Sequence, residues 1–340
     1  MADALASGAS TRKGVGVQVP SRARRDNAFE YPYAVTRFAY LGPAGTFTEA
    51  ALRTITSASD QLIPFANVTA TLDAVRNGSA DRALVPIENS VEGVVARTLD
   101  ELAIGDPLVI YGEVTLPVTF ALLVAKGKEA SEIKRIGTHP HAEAQCRTYI
   151  AKHHPNAELI TTASTAAAAE ALNTGGFDAA IAAPGAASTY GLTILANDIG
   201  DNNGAVTRFV LVGRPGSVPA MTGHDRTSLA AFIGADHAGA LLEVLTEFAV
   251  RGVNLTFIQS RPTGRELGHY HFIIDAEGHI NEERVGDALT GLRRICEDVR
   301  YLGSYPRADK ITPTTTKATT DQAFKAADLW LNEIRSGKKT

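Results

Sequence analysis

Apolar and polar positions over the first two thirds of the chain alternate between short β-type runs and segments with helical spacing. The first such run covers 37–41, and strand–helix pairs follow it in order. A long β-type run over 108–125, broken at Pro117, precedes a restart of the same order at Ile133. Alternating strands and helices are typical of α/β sheets. We therefore predict two α/β lobes, with the chain crossing between them near Pro117 and returning along 201–212 to the first.

Such a pair of hinged sheets resembles the periplasmic-binding-protein architecture, in which a small ligand binds between the lobes. A different pattern begins near residue 225, where strand, helix, two strands, helix and strand give a ferredoxin-like βαββαβ unit. A half-exposed sheet of this kind usually pairs with a copy of itself, so we expect a homo-oligomer, a dimer or a tetramer. The predicted boundaries are a disordered N-terminal tail over 1–33, a two-lobed domain over 34–215 (lobe 1 about 34–111 and 196–215, lobe 2 about 112–195), a ferredoxin-like domain over 225–305 and a C-terminal tail over 306–340.

Composition narrows the class of ligand. The chain has 44% apolar and 21% charged residues and a net charge of −4, without a basic stripe that would bind nucleic acid. No run approaches the ~18 apolar residues of a membrane span, and residues 1–30 lack the apolar core of a signal peptide. Cys146 and Cys296 are far apart in the sequence. We expect a cytoplasmic protein without a structural disulfide.

The loop after the first strand is a candidate anion site. Residues 42–45 read Gly-Pro-Ala-Gly, and Thr46, Phe47 and Thr48 then open a helix. Free N–H groups and the positive end of the helix dipole would favour an anion there. No Lys follows the glycines, so the loop is not a P-loop, and a carboxylate fits better than a phosphate. The alternative is an ordinary turn with a threonine cap.

Polar residues also follow the strand over 82–87. Glu88, Asn89 and Ser90 stand in succession at its carboxyl end, the edge at which open α/β sheets bind ligands. One of them could simply cap the next helix, but three exceed what a cap requires. We interpret the group as part of a ligand site.

In the second lobe, Thr138 ends a strand and Gln145 follows in the next helix, so both could bind a polar ligand without adding charge. His139 and His141 flank a proline and lack a third ligand nearby, which argues against a metal site.

The return strand carries Thr207 and Arg208 at its beginning. Taken alone, they are a β-branched strand residue and an exposed charge. However, this strand closes the cleft on which the other polar loops converge, which favours a functional hydroxyl at Thr207. In a regular strand the side chain of Arg208 points away from that of Thr207, so the guanidinium would support the site or anchor the strand.

Together these segments resemble the prephenate dehydratase family with a C-terminal ACT domain, from about Arg37 to Tyr305. Each motif is short, and their order and spacing carry the resemblance. The motifs are Gly42-Pro43-Ala44-Gly45-Thr46-Phe47, Pro86-Ile87-Glu88-Asn89-Ser90, Thr138-His139-Pro140 with Gln145-Cys146, Thr207-Arg208-Phe209, Gly239-Ala240-Leu241 and Gln259-Ser260-Arg261-Pro262. Two positions depart from the family pattern: His141 stands where Gln is frequent, and Gln259 stands where Glu is frequent.

The resemblance implies conversion of prephenate to phenylpyruvate, water and CO2 on the route to L-phenylalanine, without a cofactor or metal. It implies that Thr207, aided by Arg208, acts on the leaving hydroxyl. The substrate would be bound by residues of both lobes: Thr46, Phe47, Thr48, Glu88, Asn89, Ser90, Thr138 and Gln145. Two alternative functions remain open. An arogenate dehydratase would accept an amine in place of the keto group, and a non-catalytic amino-acid sensor would keep the fold alone.

The resemblance also implies allosteric control by L-phenylalanine, bound between the ACT domains of two subunits. The effector-binding residues would be Gly239, Ala240, Leu241, Gln259, Ser260, Arg261 and Pro262. Because Gln259 removes a charge beside this site, effector affinity and selectivity could differ from those of the family.

Overall fold

A computed structural model describes residues 35–234, 237–264 and 269–338. The predicted tail over 1–33 lies outside the described residues. The α-helices in the described ranges are α1 (Phe47–Ile55), α2 (Val68–Arg76), α3 (Ala96–Ile104), α4 (Pro140–Gln145), α5 (Arg147–His153), α6 (Thr165–Ala171), α7 (Gly185–Tyr190), α8 (Ala240–Ala249), α9 (Glu283–Ile295) and α10 (Asp321–Arg335). No helix in these ranges has both the length and the apolar character needed to cross a membrane.

The first sheet has the strand order β2-β1-β3-β11-β5, with β4 paired to β3. Its strands are β1 (Arg37–Leu41), β2 (Gln61–Phe65), β3 (Arg82–Asn89), β4 (Gly93–Val94), β5 (Val109–Pro117) and β11 (Val206–Gly213). The strand β11 runs antiparallel to β3 and β5 and lies between them. The predicted return of the chain to the first sheet is therefore confirmed. We call this sheet and helices α1 to α3 lobe 1.

The second sheet has the order β10-β6-β9-β7-β8. Its strands are β6 (Ala121–Val124), β7 (Arg135–Thr138), β8 (Glu158–Thr161), β9 (Ala179–Ala182) and β10 (Thr193–Ala196). Pro117 ends β5 and Ala121 begins β6, so the long apolar run is divided near the proline, as predicted. We call this sheet and helices α4 to α7 lobe 2.

The third sheet is antiparallel, with the order β13-β14-β12-β15. Its strands are β12 (Asp225–Phe232), β13 (Leu255–Pro262), β14 (Tyr270–Glu277) and β15 (Asp298–Pro306), and α8 and α9 pack on one face of it. The other face packs against lobe 1, and Ala230, Ile273 and Leu302 share one core with Val210 and Val212 of β11. The βαββαβ order that the sequence predicts is the order found.

The third sheet lies in close contact with lobe 1 at Gly303. A Cβ placed on this residue would lie 2.3 Å from the carbonyl oxygen of Ile110, and its φ of +140° disfavours other residues. Glycine here lets the backbone of β15 lie directly on that of β5.

The structure differs from the sequence prediction at the helix over 142–153 and at two short strands, β4 and β10, that were not predicted. The single helix predicted over 142–153 is two helices, α4 and α5, because Cys146 adopts φ −118° and ψ 14° between them. The strand β10 was not predicted, since its residues are exposed or half-buried and lack an alternating pattern.

Candidate active site

Thr207 and Asn89 meet at one edge of the first sheet. Because β11 runs antiparallel to β3, its first residues lie beside the last residues of β3, and Thr207 pairs with Asn89 in the register. The side-chain amide of Asn89 donates from Nδ2 to Oγ1 of Thr207 over 2.8 Å. One acceptor lone pair of the hydroxyl is thus occupied, while its own proton remains for another acceptor. Thr207 is 8% exposed, so this proton lies in a largely dehydrated setting.

The loop after β3 is held by the polar residues that the sequence singled out. Oδ1 of Asn89 accepts the N–H groups of Val91 and Glu92 at 2.8 and 2.9 Å. Ser90 accepts the N–H of Val206 on Oγ at 2.9 Å and donates its own N–H to the carbonyl of Val206. The start of β11 and the end of β3 are therefore fixed to each other beside Thr207.

The two lobes touch at both rims of the cleft between them. At one rim, Nε2 of Gln145 in α4 donates to Oε1 of Glu92 over 2.9 Å, and Nδ1 of His141 lies 3.8 Å from Oε2 of the same carboxylate. At the other rim, the Tyr190 hydroxyl donates to the carbonyl of Ala44 over 2.7 Å. The structure thus represents a conformation in which the lobes are closed on each other.

The first turn of α1 lines a cavity of about 300 Å³ between the lobes. Thr46 caps the helix, accepting the N–H of Glu49 on Oγ1 and donating to the carbonyl of Leu41. The N–H groups of Phe47 and Thr48 are among the first four of the helix, which have no intrahelical partner. The full lining is Gly45, Thr46, Phe47, Glu49, Ala50, Arg53, Leu116, Pro117, Thr119, Ala183, Pro184, Gly185, Ser188 and Thr189.

This cavity has the features of a carboxylate site in a small-molecule cleft. Leu116, the partner of Thr207 in the register with β5, forms part of its wall. Phe47 packs edge-to-face on Phe120, with ring centroids 5.6 Å apart, which fixes the helix against the crossing segment. The carboxylate of Glu49 is already engaged by the N–H of Gly45 and by Arg53. Arg53 also lines the cavity and supplies the positive charge there.

Thr138 occupies the end of β7 and is 1% exposed. Its hydroxyl donates to the carbonyl of Ile181 over 2.9 Å, so its proton is used within lobe 2 and only its oxygen can accept further bonds. His139, which follows it, caps α4. Burial, and then the neighbouring His141, lower the pKa of His139, while Glu92 acts in the opposite direction.

Arg208 belongs to a buried charge cluster between lobe 1 and the third sheet. Its Nη2 donates to Oδ2 of Asp275 over 2.7 Å, and its Nη1 lies 3.7 Å from Oε2 of Glu113. Arg226 donates to that same oxygen of Glu113 over 2.7 Å. Ser228 and the Tyr305 hydroxyl extend the cluster, since the Ser228 hydroxyl bonds both Asp275 and Tyr305. Two guanidinium groups thus face two carboxylates.

Burial and neighbouring charges shift the pKa values of groups in this cluster. Burial raises the pKa of Glu113 to about 7, against the opposing effect of Arg208. For Arg208, burial by itself would lower the pKa, but Asp275, Tyr305 and Glu113 outweigh it, and the pKa is raised. The guanidinium therefore stays charged, and it hydrogen-bonds to Asp275 of the third sheet.

The first turn of α8 lines a second cavity, of about 210 Å³. Gly239 precedes the helix with φ +96°, and Ala240 and Leu241 follow it. The full lining is Ile233, Gly234, His237, Gly239, Ala240, Leu241, Leu242, Tyr270 and Phe272.

The second predicted effector segment, over 259–262, lies elsewhere in this chain. It forms the end of β13, where Arg261 donates to both carboxylate oxygens of Asp100 in α3, at 2.8 and 2.7 Å. Gln259 bonds the carbonyl of Ser260 through its amide, and Pro262 ends the strand. The two effector segments thus do not share a pocket within the described part of one chain.

Two residues of the site were not singled out from the sequence. Glu92 reads as an ordinary polar turn residue, and only its contact with Gln145, 53 positions away, gives it significance. Asp275 reads as a charge at the end of a strand, and its partner Arg208 belongs to another sheet. Neither contact can be predicted from the spacing of charged and apolar residues, because each joins positions that are distant in the sequence.

Comparison with known proteins gives consistent matches. Residues 38–217 match the family model of prephenate dehydratase, and residues 230–294 match that of the ACT domain. The prephenate dehydratase of Amycolatopsis methanolica is 46% identical over 306 residues, which cover 90% of this chain and all of that protein. The crystal structure of a prephenate dehydratase from Arthrobacter aurescens in complex with L-Phe has a TM-score of 0.85 and 51% identity, covering 88% of this chain and 99% of that one.

A further solved structure is that of GqqA, described as a novel type of quorum quenching acylase. It has a TM-score of 0.71 and 30% identity, covering 80% of this chain and 98% of that one. Because one fold can support different reactions, the higher sequence identities carry more weight than the shared fold.

Proposed function

The chain belongs to the prephenate dehydratase family, and from this premise we propose that Thr207 assists the departure of the ring hydroxyl of prephenate. The reaction removes water and CO2 from prephenate and leaves phenylpyruvate, in the biosynthesis of phenylalanine. The C–C bond to the ring carboxylate breaks, and its electron pair completes the aromatic ring. The C–O bond breaks at the same time, and the leaving oxygen takes up a proton to become water.

Aromatisation drives this reaction, so the enzyme needs to hold a dianion and to assist the leaving oxygen. The observation that carries the proposal is the bond from Asn89 to Oγ1 of Thr207. Because Oγ1 accepts the amide proton of Asn89, its own proton can point toward the leaving oxygen of the substrate. The accepted bond also makes the hydroxyl a stronger donor. A threonine hydroxyl is a weak acid, so hydrogen bonding acts together with positioning and exclusion of water. Arg208 holds the strand in place through Asp275 and adds positive field from behind it.

The remaining predicted residues have separate tasks in this proposal. The N–H groups at the start of α1, at Phe47 and Thr48, receive a substrate carboxylate in the cavity beside Arg53. Ser90 and Gln145 border the reacting ring. The buried hydroxyl of Thr138 supports the end of β7. Glu88, 3.8 Å from Nε of Arg208, orients that side chain. In this arrangement one carboxylate of the dianion is bound by helix N–H groups and Arg53.

Substrate preference is tested by measuring kcat/KM on prephenate and on arogenate with the same preparation. We expect turnover of prephenate, followed by the ultraviolet absorbance of phenylpyruvate, to exceed that of arogenate. In the part of the chain that the structure describes, Glu49 is the one acidic side chain that lines the cavity, and its carboxylate is engaged by Arg53 and Gly45, so an additional ammonium group would lack a partner there. A higher kcat/KM on arogenate would make the chain an arogenate dehydratase. Turnover of neither compound would favour a sensor.

We further propose that L-phenylalanine binds at the cavity of Gly239, Ala240 and Leu241 and that the chain is a homo-oligomer. A solved relative carries L-Phe, as stated above. The cavity is apolar on one side, through Leu241, Tyr270 and Phe272, and offers helix N–H groups on the other. The segment over 259–262 of a second copy would complete it, since in its own chain that segment lies on α3. A cytoplasmic location is consistent with the two free thiols.

A Leu241→Asp variant is expected to weaken phenylalanine binding by at least about 10-fold. The new carboxylate would repel that of the ligand and remove apolar surface from the cavity. Isothermal titration calorimetry on the full chain measures this change. Sedimentation velocity with phenylalanine present should give a mass of at least two chains.

The matched control is Val250→Asp, since Val250 is 69% exposed at the opposite end of α8 and does not line the cavity. It should leave the dissociation constant unchanged. Equal binding by the Leu241→Asp and wild-type chains would exclude this cavity as the effector site, and a monomer that binds phenylalanine normally would exclude a shared site.

A further inference from the structure

Glu92 occupies the tip between β3 and β4 and reaches from lobe 1 to lobe 2. Its side chain is 31% exposed, and Oε1 accepts the amide proton of Gln145 over 2.9 Å. Among the described residues, the titratable groups that interact with this carboxylate are His141, at 3.8 Å, and its neighbour His139. The partner in closest contact is the neutral side-chain amide of Gln145, and the bond is directional.

A continuous series of hydrogen bonds runs from this contact to Thr207. Gln145 donates to the Glu92 carboxylate, the N–H of Glu92 donates to Oδ1 of Asn89, and Nδ2 of Asn89 donates to Oγ1 of Thr207. Every donor in the series has one acceptor, and the three distances lie between 2.8 and 2.9 Å. The series begins in lobe 2 and ends on the hydroxyl that the proposed reaction uses.

The orientation of Asn89 within this series is fixed. Its Oδ1 accepts two backbone N–H groups, those of Val91 and Glu92, and an NH2 group in that position could accept neither. Nδ2 must therefore face Thr207. Because the N–H of Glu92 forms one of the two bonds, the position of Glu92 decides how firmly the Asn89 amide is held.

We infer that Glu92 is a positioning residue, which couples closure of lobe 2 to the orientation of Asn89 and Thr207. When α4 approaches, Gln145 engages the carboxylate and pins the turn, and the pinned turn fixes the Asn89 amide. The hydroxyl of Thr207 is then aligned only while the cleft is closed and water is excluded. This role rests on the proposed function of Thr207, since Glu92 acts through that hydroxyl.

The experiment compares Glu92→Ala and Glu92→Gln in the full chain. Loss of the carboxylate in Glu92→Ala should lower kcat by about 10- to 100-fold with little change in KM, because orientation is lost and substrate contacts remain. Glu92→Gln keeps an accepting oxygen for Gln145 and should recover most of the loss. Glu158→Gln, an equal charge change at the exposed strand β8 of lobe 2, should retain wild-type kcat.

A double variant separates this inference from the role of Thr207. In the Thr207→Val background, Glu92→Ala should cause no further loss of kcat, since the group on which it acts is absent. Additive losses would overturn the positioning role, as would a raised KM with unchanged kcat. Full turnover of Glu92→Ala beside an inactive Thr207→Val would also overturn it and leave the Thr207 proposal intact. Full turnover of Thr207→Val would instead remove the Thr207 proposal.

Discussion

A Thr207→Val enzyme is expected to lose at least about 10²-fold in kcat while remaining folded. Valine has nearly the same shape, so the strand and its packing persist, but the leaving hydroxyl of prephenate loses its proposed hydrogen-bond donor. The Asn89 amide also loses its acceptor, which costs about 1–3 kcal/mol if Nδ2 stays buried. Steady-state kinetics on prephenate, with circular dichroism to verify the fold, measures both effects.

Thr207→Ser is the matched control for this variant, because it keeps the hydroxyl and removes only a methyl group. It should retain most of the turnover, with a modest loss from greater rotational freedom of the serine side chain. A folded Thr207→Val enzyme with nearly normal kcat would show that the hydroxyl carries no part of the chemistry.

Replacing Asp275 with Asn is expected to destabilise the protein by about 3–5 kcal/mol. Asp275 is 1% exposed, and without its charge the buried guanidinium groups of Arg208 and Arg226 share Glu113 as the remaining buried carboxylate of the cluster, while the half-exposed Glu88 lies 3.8 Å from Arg208. The measurement is the urea midpoint of unfolding, followed by fluorescence. Asp298→Asn serves as control, since Asp298 pairs with Arg293 at the surface, with side chains 57% and 62% exposed, and should cost less than about 1 kcal/mol.

The same cluster decides between the two roles open to Arg208. If Arg208 anchors β11 through Asp275, then Arg208→Met and Asp275→Asn should lower kcat by similar factors, because both release the same strand. If the guanidinium acts on the substrate, Arg208→Met should lose far more turnover than Asp275→Asn. The two variants therefore give a direct comparison of anchoring with catalysis.

Local patterns predicted most of the fold. The division near Pro117, the return of β11 and the βαββαβ order follow from periodicity and chain punctuation, which are short-range properties. The break at Cys146 depends on tertiary structure, since the carbonyl of Gln145 there accepts the N–H of Asp201, far along the chain. The strand β10 depends on its antiparallel partner β6 rather than on its own residues.

For the candidate site, the sequence could predict individual polar residues at the ends of strands. Asn89 and Ser90 were predicted because three polar residues in succession exceed the need of a helix cap, and Thr207 because its strand closes the cleft. The sheet brings Asn89 and Thr207 into contact. Their pairwise bonds could not be derived from sequence, because they join positions up to 118 residues apart. The same holds for Arg208, whose direction follows from alternation, whereas its acceptor on the third sheet depends on how two domains dock.

The placement of β11 at the centre of the first sheet has a consequence for synthesis on the ribosome. Lobe 1 is built from two distant parts of the chain, with all of lobe 2 between them. Lobe 2 is contiguous, so it can fold while β11 is still inside the exit tunnel, whereas β3 and β5 must wait with their facing edges unpaired. The proposed catalytic hydroxyl arrives on the last strand of this sheet. A nascent chain therefore has no working cleft until Gly213 has emerged, and arrest before that point leaves two open edges prone to aggregation.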